Sequence, residues 1–303
     1  MDIQQVRRIL IIGAGTMGQE IGLQCAAHGY DVVIHDIAAG ALEAAKGRIA
    51  AWLAQLVDAK RLRQEDAEAA TGRMTFTPRA EDAAGGVDLV SESVPEDLRL
   101  KCEVFAQFNR LCPPRAVFTT NTSMLRPSML AEATGRPSQF AALHFHPHVW
   151  ESNVADIMPH PGTAPATVSL LREFAVRIGQ IPMVLRKENP GYVLNAILGA
   201  INRESLTLAA NGVASVEDID RAWMGVMKTQ VGPFGIMDRV GLDTVWQITD
   251  NWARRLPGRE QLRRNADFLR GLVEEGRLGV KTGRGFYTYP GPAFERQGFV
   301  EGK

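Results

Sequence analysis

The chain of 303 residues contains little cysteine and no excess of either charge. Lysine and arginine together number 34, as do aspartate and glutamate, which argues against a nucleic-acid-binding protein because such proteins carry a basic excess. Every apolar run falls short of the about 18 residues that a membrane span requires. The three cysteines are Cys25, Cys102 and Cys112. They form no C-x-x-C pair, and any disulfide would leave one cysteine unpaired, so we expect no disulfide framework.

The start of the chain, M-D-I-Q-Q-V-R-R at 1–8, has no apolar signal core. Together with the low cysteine content, this predicts a protein of the reducing cytoplasm. Apolar residues make up 45% of the chain and charged residues 22%, which is typical of a globular protein with a substantial core. The length is sufficient for two domains of ordinary size.

The first half of the chain alternates apolar, β-branched runs with helical stretches. This alternation predicts an α/β fold with a doubly wound, mostly parallel sheet covered by helices on both faces. A segment at about 38–72, rich in helix-forming residues, predicts a helical hairpin. Strands are predicted at 8–12, 31–35, 74–77, 87–91, 116–119, 140–145, 154–158 and 182–185.

The second half changes character after Glu188-Asn189-Pro190-Gly191, where proline and glycine interrupt any helix. Beyond it the pattern is helical, and an apolar run typical of a strand recurs only at 285–289. We therefore predict two domains, an α/β domain over 1–188 and an all-α domain over 189–303.

A glycine-rich turn joins the first predicted strand to the first helix. Gly13 permits the tight turn, Gly15 lets the backbone approach a pyrophosphate, and Gly18 lets the helix pack on the strand. The helix beginning near Thr16 directs free N–H groups towards the phosphates. Strand, glycines, helix, strand and acid in this order predict a Rossmann-type dinucleotide-binding domain.

The acid that follows the second predicted strand is Asp36. A carboxylate here accepts hydrogen bonds from the adenosine ribose and repels a 2′-phosphate, so the cofactor predicted is NAD and not NADP.

Further motifs resemble the 3-hydroxyacyl-CoA dehydrogenase family over nearly the whole chain. They are G-A-G-T-M-G at 13–18, V-P-E-D-L-x-x-K at 94–101, T-N-T-S at 120–123, L-H-F at 143–145, N-P-G-Y-V-L-N at 189–195, G-P-F at 232–234, D-R-V-G-L-D at 238–243 and K-T-G-R-G-F-Y at 281–287. The resemblance implies oxidation of an L-3-hydroxyl to a ketone with NAD. It also implies a homodimer formed through the C-terminal helical domain, which is expected to carry substrate contacts as well.

The roles of the family's residues follow by position. The resemblance implies that His144 is the catalytic base paired with Asp156, and that Ser123 and Asn195 contact the substrate oxygen. The predicted cofactor contacts are Gly13, Gly15, Thr16, Met17, Gly18, Asp36, Ile37, Glu96, Lys101 and Asn121. A neutral imidazole suits proton removal from an alcohol because its pKa lies near working pH.

Three local departures from the family pattern bear on the substrate. The usual F-x-N-P after the histidine is replaced by Phe145-His146-Pro147-His148, and the usual glutamate is the shorter Asp156. The arginine common after the N-x-x-x-x-x-N motif is also replaced, by Ala196. The leading prediction is a short-chain L-3-hydroxyacyl-CoA substrate. A free hydroxy acid such as L-gulonate or carnitine is the alternative, and a non-catalytic NAD-binding protein is a lesser one.

The alternating histidines also raise the question of a metal. An extended strand would place His144, His146 and His148 on one face, near Asp156 and His160, and such a group could hold zinc. No metal is predicted, because Pro147 interrupts the strand and a nicotinamide accepts a hydride without one.

Overall fold

The computed structural model describes residues 2–256 and 258–302. The chain divides into two compact units, Met1–Val193 and Leu194–Lys303. This division lies five residues beyond the boundary expected at 188/189, after the Asn189-Pro190-Gly191-Tyr192 turn and not before it.

The first unit is built on one eight-stranded sheet. Its strands follow the order β3-β2-β1-β4-β5-β6-β7-β8, and every neighbouring pair is parallel except the antiparallel pair β6–β7. The strands are β1 Arg8–Ile12, β2 Asp31–His35, β3 Met74–Thr77, β4 Leu89–Glu92, β5 Val117–Thr120, β6 Phe140–Phe145, β7 Val154–Met158 and β8 Ile181–Val184. The predicted doubly wound α/β fold is confirmed, with strand ends displaced by one or two residues at β4, β5 and β8.

Continuous apolar runs form the central strands because both faces of the sheet are covered. Four of the five residues of β1 are buried, and alternate side chains of the strand enter different cores. Ile9 and Ile11 belong to one core, whereas Leu10 and Ile12 belong to the other. The covering helices are α1 Thr16–Ala27, α2 Ala39–Asp58, α3 Gln64–Gly72, α4 Ala80–Ala84, α5 Leu98–Leu111 and α6 Pro165–Arg177.

The second unit is helical, as predicted. Its helices are α7 Leu194–Ala210, α8 Val216–Met227, α9 Pro233–Val240, α10 Leu242–Arg255 and α11 Glu260–Glu274. They enclose a core of their own that includes Leu206, Phe234 and Leu269. Among the described residues, no helix is both long enough and apolar enough to cross a membrane.

Residues 285–289 form no regular strand in the described chain; the prediction of one is wrong. Isolated bridges join Gly279 to Arg284 and Arg284 to Thr288. The segment is held instead by the buried Asp238 carboxylate, which accepts from the backbone N–H of Phe286 at 2.8 Å. The apolar character of the segment therefore reflects burial of a loop and not sheet pairing.

Two buried carboxylates join α8, α9 and the segment 285–289 of the second unit. Asp238 also accepts from the N–H of Tyr287 at 2.9 Å and from the hydroxyl of Tyr289 at 3.1 Å. Asp220 accepts from the N–H of Phe234 at 2.9 Å and from the Tyr287 hydroxyl at 2.9 Å. Burial raises the pKa of both carboxyls, against the lowering effect of these donors. The D-R-V-G-L-D and K-T-G-R-G-F-Y motifs thus contribute to folding through this network.

Replacing Asp238 by Ala should lower the free energy of unfolding by about 3 kcal/mol or more, because three donors lose their acceptor inside the protein. Urea denaturation followed by circular dichroism measures this change. Asp267→Ala is the matched control, since that carboxylate is 44% exposed and pairs with surface arginines. The control should change stability by less than about 1 kcal/mol. Equal effects of the two substitutions would contradict the structural role of Asp238.

Candidate active site

The glycine turn between β1 and α1 has the geometry that dinucleotide binding requires. Gly13 has a φ of +104°, and a Cβ added there would lie 2.6 Å from the Ser93 carbonyl oxygen. A Cβ at Gly18 would overlap the Gly13 carbonyl. Side chains are therefore excluded at both positions by neighbouring backbone.

Gly15 differs from its two neighbours in the motif, because a Cβ added there would meet nothing within 4 Å. It faces open space at the start of α1, where the helix has no side-chain cap and no acidic residue in its first turn. Thr16 is exposed and Met17 half-buried at this helix end. The free N–H groups and the open space fit the pyrophosphate of a dinucleotide.

The ribose end of the predicted cofactor site is formed after β2. The Asp36 carboxylate accepts from the N–H of Ala14 and from that of Ala38, both at 2.9 Å. These contacts hold the carboxylate beside the glycine turn. Ile37 follows and is 89% exposed, an apolar surface suited to one face of an adenine. The residues present therefore fit NAD.

His144 and Asp156 are brought together by sheet register. They are directly opposed on the antiparallel strands β6 and β7. His144 Nδ1 lies 3.3 Å from Asp156 Oδ2, and His144 Nε2 lies 3.0 Å from the Ser123 hydroxyl. His144 is 4% exposed and Asp156 1%. The imidazole thus bridges a buried carboxylate and a hydroxyl, with one ring nitrogen on each.

Ser123 follows β5, in the loop adjoining the carboxyl end of β6. Asn121 fixes this loop, because its side-chain oxygen accepts from the N–H of Phe145 at 2.8 Å. Since β5 and β6 are parallel, their carboxyl ends meet at one edge of the sheet, where ligands collect in open α/β folds.

The Asp156 carboxylate also contacts a second imidazole. His146 Nε2 lies 3.1 Å from the same oxygen, Oδ2, that faces His144. Burial alone would raise the pKa of Asp156, but the hydrogen bonds and charges of the two imidazoles outweigh it and leave the pKa below its ordinary value. The carboxyl therefore stays ionised and can stabilise an imidazolium.

Sequence patterns of one family match both halves of the chain. The 3-hydroxyacyl-CoA dehydrogenase NAD binding domain matches residues 8–189, and the C-terminal domain of the same family matches residues 191–289. The chain belongs to the 3-hydroxyacyl-CoA dehydrogenase family. It is an NAD-dependent oxidoreductase that acts on CH–OH donors.

Individual relatives are similar over nearly their full length. A 3-hydroxybutyryl-CoA dehydrogenase of Mycobacterium tuberculosis is 32% identical over 285 residues, 94% of this chain and 99% of the relative. The structure of (S)-3-hydroxybutyryl-CoA dehydrogenase PaaH1 from Ralstonia eutropha is 29% identical with a TM-score of 0.84, covering 94% and 99%. A diketoreductase, described in the catalysis of dicarbonyl compounds, is 36% identical with a TM-score of 0.87 over the same shares.

Tyr192 also lies in the candidate active site, although the sequence pattern did not single it out. Its ring stacks on the His144 imidazole, with centroids 4.4 Å apart and planes at 12°. Its hydroxyl donates to the Thr122 carbonyl at 2.7 Å, and the N–H of Gly191 donates to the Ser123 carbonyl at 3.1 Å. Tyr192 has a φ of +53°, a conformation that a tyrosine rarely adopts. The turn before α7 therefore covers one face of His144.

Lys101, one of the predicted cofactor contacts, lies in a buried ion pair. It is 1% exposed, and its Nζ donates to Glu92 Oε1 at 2.6 Å and to the Val94 carbonyl at 3.1 Å. Glu92, at the end of β4, is fully buried, and burial raises its pKa in spite of Lys101. Its partners also include Glu96 at 3.6 Å, and its contact with the cofactor stays a prediction.

Glu96 links this buried pair to the Ser123 loop. Its Oε1 accepts from the N–H of Met124 at 2.9 Å and from the hydroxyl of Thr122. The carboxylate is partly exposed, so it remains accessible to a cofactor while it holds the loop.

Two further histidines were considered as zinc ligands, and Asn195 was predicted to contact the substrate. His148 is exposed with a φ of +59°, and His160 Nε2 lies 2.9 Å from the Pro137 carbonyl. Asn195 is half-buried in the first turn of α7, within the second unit. Its contact with a substrate oxygen stays a prediction.

Gly15→Ala should weaken NAD binding by tenfold or more while leaving the fold intact, because the added methyl group enters only the space where the pyrophosphate must lie. Fluorescence titration with NADH measures the affinity, and thermal unfolding reports the fold. Gly47→Ala in α2 is the matched control, since a Cβ there also meets nothing within 4 Å. The control should keep its affinity and gain about 1 kcal/mol in stability. Unchanged affinity in Gly15→Ala would contradict this position for the pyrophosphate.

Proposed function

We propose that the chain oxidises short-chain L-3-hydroxyacyl-CoA to the 3-ketoacyl-CoA with His144 as general base. The observation that carries the proposal is the position of the His144 imidazole, between the Asp156 carboxylate and the Ser123 hydroxyl at the carboxyl end of the sheet. NAD, when bound, supplies the acceptor of the hydride.

The protonation states follow from the contacts of the ring. An ionised Asp156 can only accept, so His144 Nδ1 carries the proton and Nε2 is free to accept one. With this tautomer, the Ser123 hydroxyl donates to Nε2, which lies 3.0 Å away. The substrate hydroxyl would take that place and lose its proton to Nε2 as the hydride leaves its carbon. Asp156 then stabilises the imidazolium, as the acid does in other His–Asp pairs.

Ser123 and Asn195 are proposed to donate hydrogen bonds to the substrate oxygen. Negative charge grows on this oxygen as its proton is lost, and fixed donors stabilise such charge in a site that excludes water. Released from Nε2, the Ser123 hydroxyl can turn to the substrate. The stacked Tyr192 ring supports this role, because it keeps solvent from one face of His144.

His144→Gln should lower kcat by about 100- to 10,000-fold, the contribution usual for a general base, while NAD affinity changes little. Steady-state NADH formation and a fluorescence titration measure the two quantities. His148→Gln provides a control, because that side chain is exposed. The assignment fails if His144→Gln retains kcat, or if it loses turnover only in proportion to lost NAD binding.

The CoA ester is favoured by the two 3-hydroxybutyryl-CoA dehydrogenases named above, since both are similar over nearly the whole chain. A small free carbonyl or hydroxy acid is the second candidate. It is favoured by the likeness to a diketoreductase described with dicarbonyl compounds, and by the presence of His146 beside the proposed base. A non-catalytic role is disfavoured, because the His144, Asp156 and Ser123 contacts are those that proton transfer requires.

NADH formation with 3-hydroxybutyryl-CoA should exceed that with free 3-hydroxybutyrate, L-carnitine or L-gulonate by at least about 100-fold in kcat/KM, because binding energy from the CoA portion is available only to the ester. Absorbance at the NADH band gives the rates. The reverse order, with a free acid preferred, would keep the acid–base mechanism and reject the acyl-CoA substrate.

Two further parts of the proposal concern assembly and location. The second unit exposes large apolar side chains that a homodimer interface would bury, among them Ile197, Val226, Ile248 and Trp252. The three free cysteines support a reducing compartment such as the cytoplasm.

A further inference from the structure

Two imidazoles contact the Asp156 carboxylate, although proton transfer by a His–acid pair requires only one. A His–acid pair requires a single ring, yet His144 Nδ1 and His146 Nε2 both face Oδ2, at 3.3 and 3.1 Å. The two rings are nearly perpendicular, with an interplanar angle of 86° and centroids 5.0 Å apart. Their nitrogens therefore approach one oxygen from different directions.

This arrangement matches the edges of a tetrahedral zinc site. Zinc bonds of about 2.0–2.1 Å at tetrahedral angles place neighbouring ligand atoms roughly 3.3 Å apart. Both nitrogen-to-oxygen distances already have about this value, and all three ligand atoms lie within 4.8 Å of one another. Two imidazoles and a carboxylate are also the ligand types that open zinc sites use, with the fourth position left to water.

The side chains are held in place by the fold. His144 and His146 are two residues apart and project to the same side, and Pro147 interrupts the chain only after both have been positioned. Asp156 is fixed opposite His144 by the pairing of β6 with β7. The three residues are buried, with 4%, 8% and 1% of their surfaces exposed, so little rearrangement entropy opposes binding.

We propose that His144, His146 and Asp156 form a zinc(II) site whose occupation blocks the dehydrogenase. The geometry requires small movements only, in which both imidazoles exchange a hydrogen bond to the carboxylate for a bond to the metal.

Zinc and base catalysis exclude each other through the tautomer of His144. A metal on Nδ1 requires that nitrogen to be unprotonated, so the proton of the neutral ring moves to Nε2. A protonated Nε2 can only donate, and it can no longer accept the proton of a substrate alcohol. This inhibitory part rests on the proposed role of His144 as base, whereas zinc binding itself does not.

The test is titration of the purified full-length chain with zinc chloride against a chromophoric chelator, followed by activity at the same free zinc concentrations. We expect one zinc per chain and loss of NADH formation over the same concentration range, restored by EDTA. His146→Phe should weaken zinc binding by at least about 100-fold, since even outer contacts to a metal ligand change affinity 10- to 100-fold.

His148→Asn is the matched control. It removes a neighbouring histidine whose side chain does not face the cluster, and asparagine tolerates the left-handed backbone at that position. This variant should bind zinc as the wild type does. His146→Gln guards against misfolding in the phenylalanine variant, and circular dichroism and NADH binding verify both folds.

Three outcomes would overturn the proposal. Absence of stoichiometric zinc binding would exclude the site. Equal zinc affinity in His146→Phe and the wild type would also exclude it, and would indicate that zinc binds elsewhere, for example at a cysteine. Zinc bound through His146 without loss of activity would reject the inhibitory role. The loss of activity expected in His144→Gln does not depend on the first two outcomes. Failure of the zinc site is therefore distinguishable from failure of the proposed function.

Discussion

The antiparallel pairing of β6 with β7 is the constraint on which the candidate active site depends. All other neighbouring strands in the sheet are parallel, and this one reversal opposes His144 to Asp156. Opposed residues of an antiparallel pair have Cβ atoms about 5 Å apart, close enough for an imidazole and a carboxylate to meet. Slippage by one residue would turn the aspartate to the other face. Sheet register, and not a mobile loop, therefore sets the distance between His144 and Asp156.

The short side chain of Asp156 acts within the same constraint. Because the strands fix the backbone separation, an aspartate ends one methylene closer to its own strand than a glutamate would. The result is a long hydrogen bond of 3.3 Å to His144 and space in which His146 reaches the same oxygen at 3.1 Å. Aspartate and the second histidine thus meet at one oxygen atom, although the sequence displays them as two separate departures from the family pattern.

Much of the fold could be predicted from sequence because its signals are local. Apolar runs mark strands that are buried on both faces, and Gly13 and Gly18 stand where neighbouring backbone excludes a Cβ. Asp36 likewise follows its strand at the expected position. The strand predicted at 285–289 was wrong because a buried loop and a strand can share an apolar composition. The carboxylate that organises that loop, Asp238, is distant in sequence and leaves no periodic signal.

The parts of the site that the sequence did not predict come from contacts between distant segments. Glu92 ends an apolar strand, and nothing local distinguishes it from a solvated acid until Lys101 is found buried against it. Tyr192 follows a Pro-Gly turn and reaches Thr122 only through tertiary folding. Patterns of period two or 3.6 carry no information about such pairs.

These buried contacts converge on the loop that carries Ser123. Thr122 donates its hydroxyl to Glu96, and its carbonyl accepts from Tyr192, so the residue before Ser123 is held from two directions. Glu96 in turn approaches Lys101, whose ammonium is fixed by Glu92. A buried ion pair is weak evidence for stability, since desolvation offsets much of its attraction. Here its consequence is positional: the pair anchors one side of the loop and Tyr192 the other. The Ser123 hydroxyl is left facing His144 Nε2, the proposed acceptor of the substrate proton.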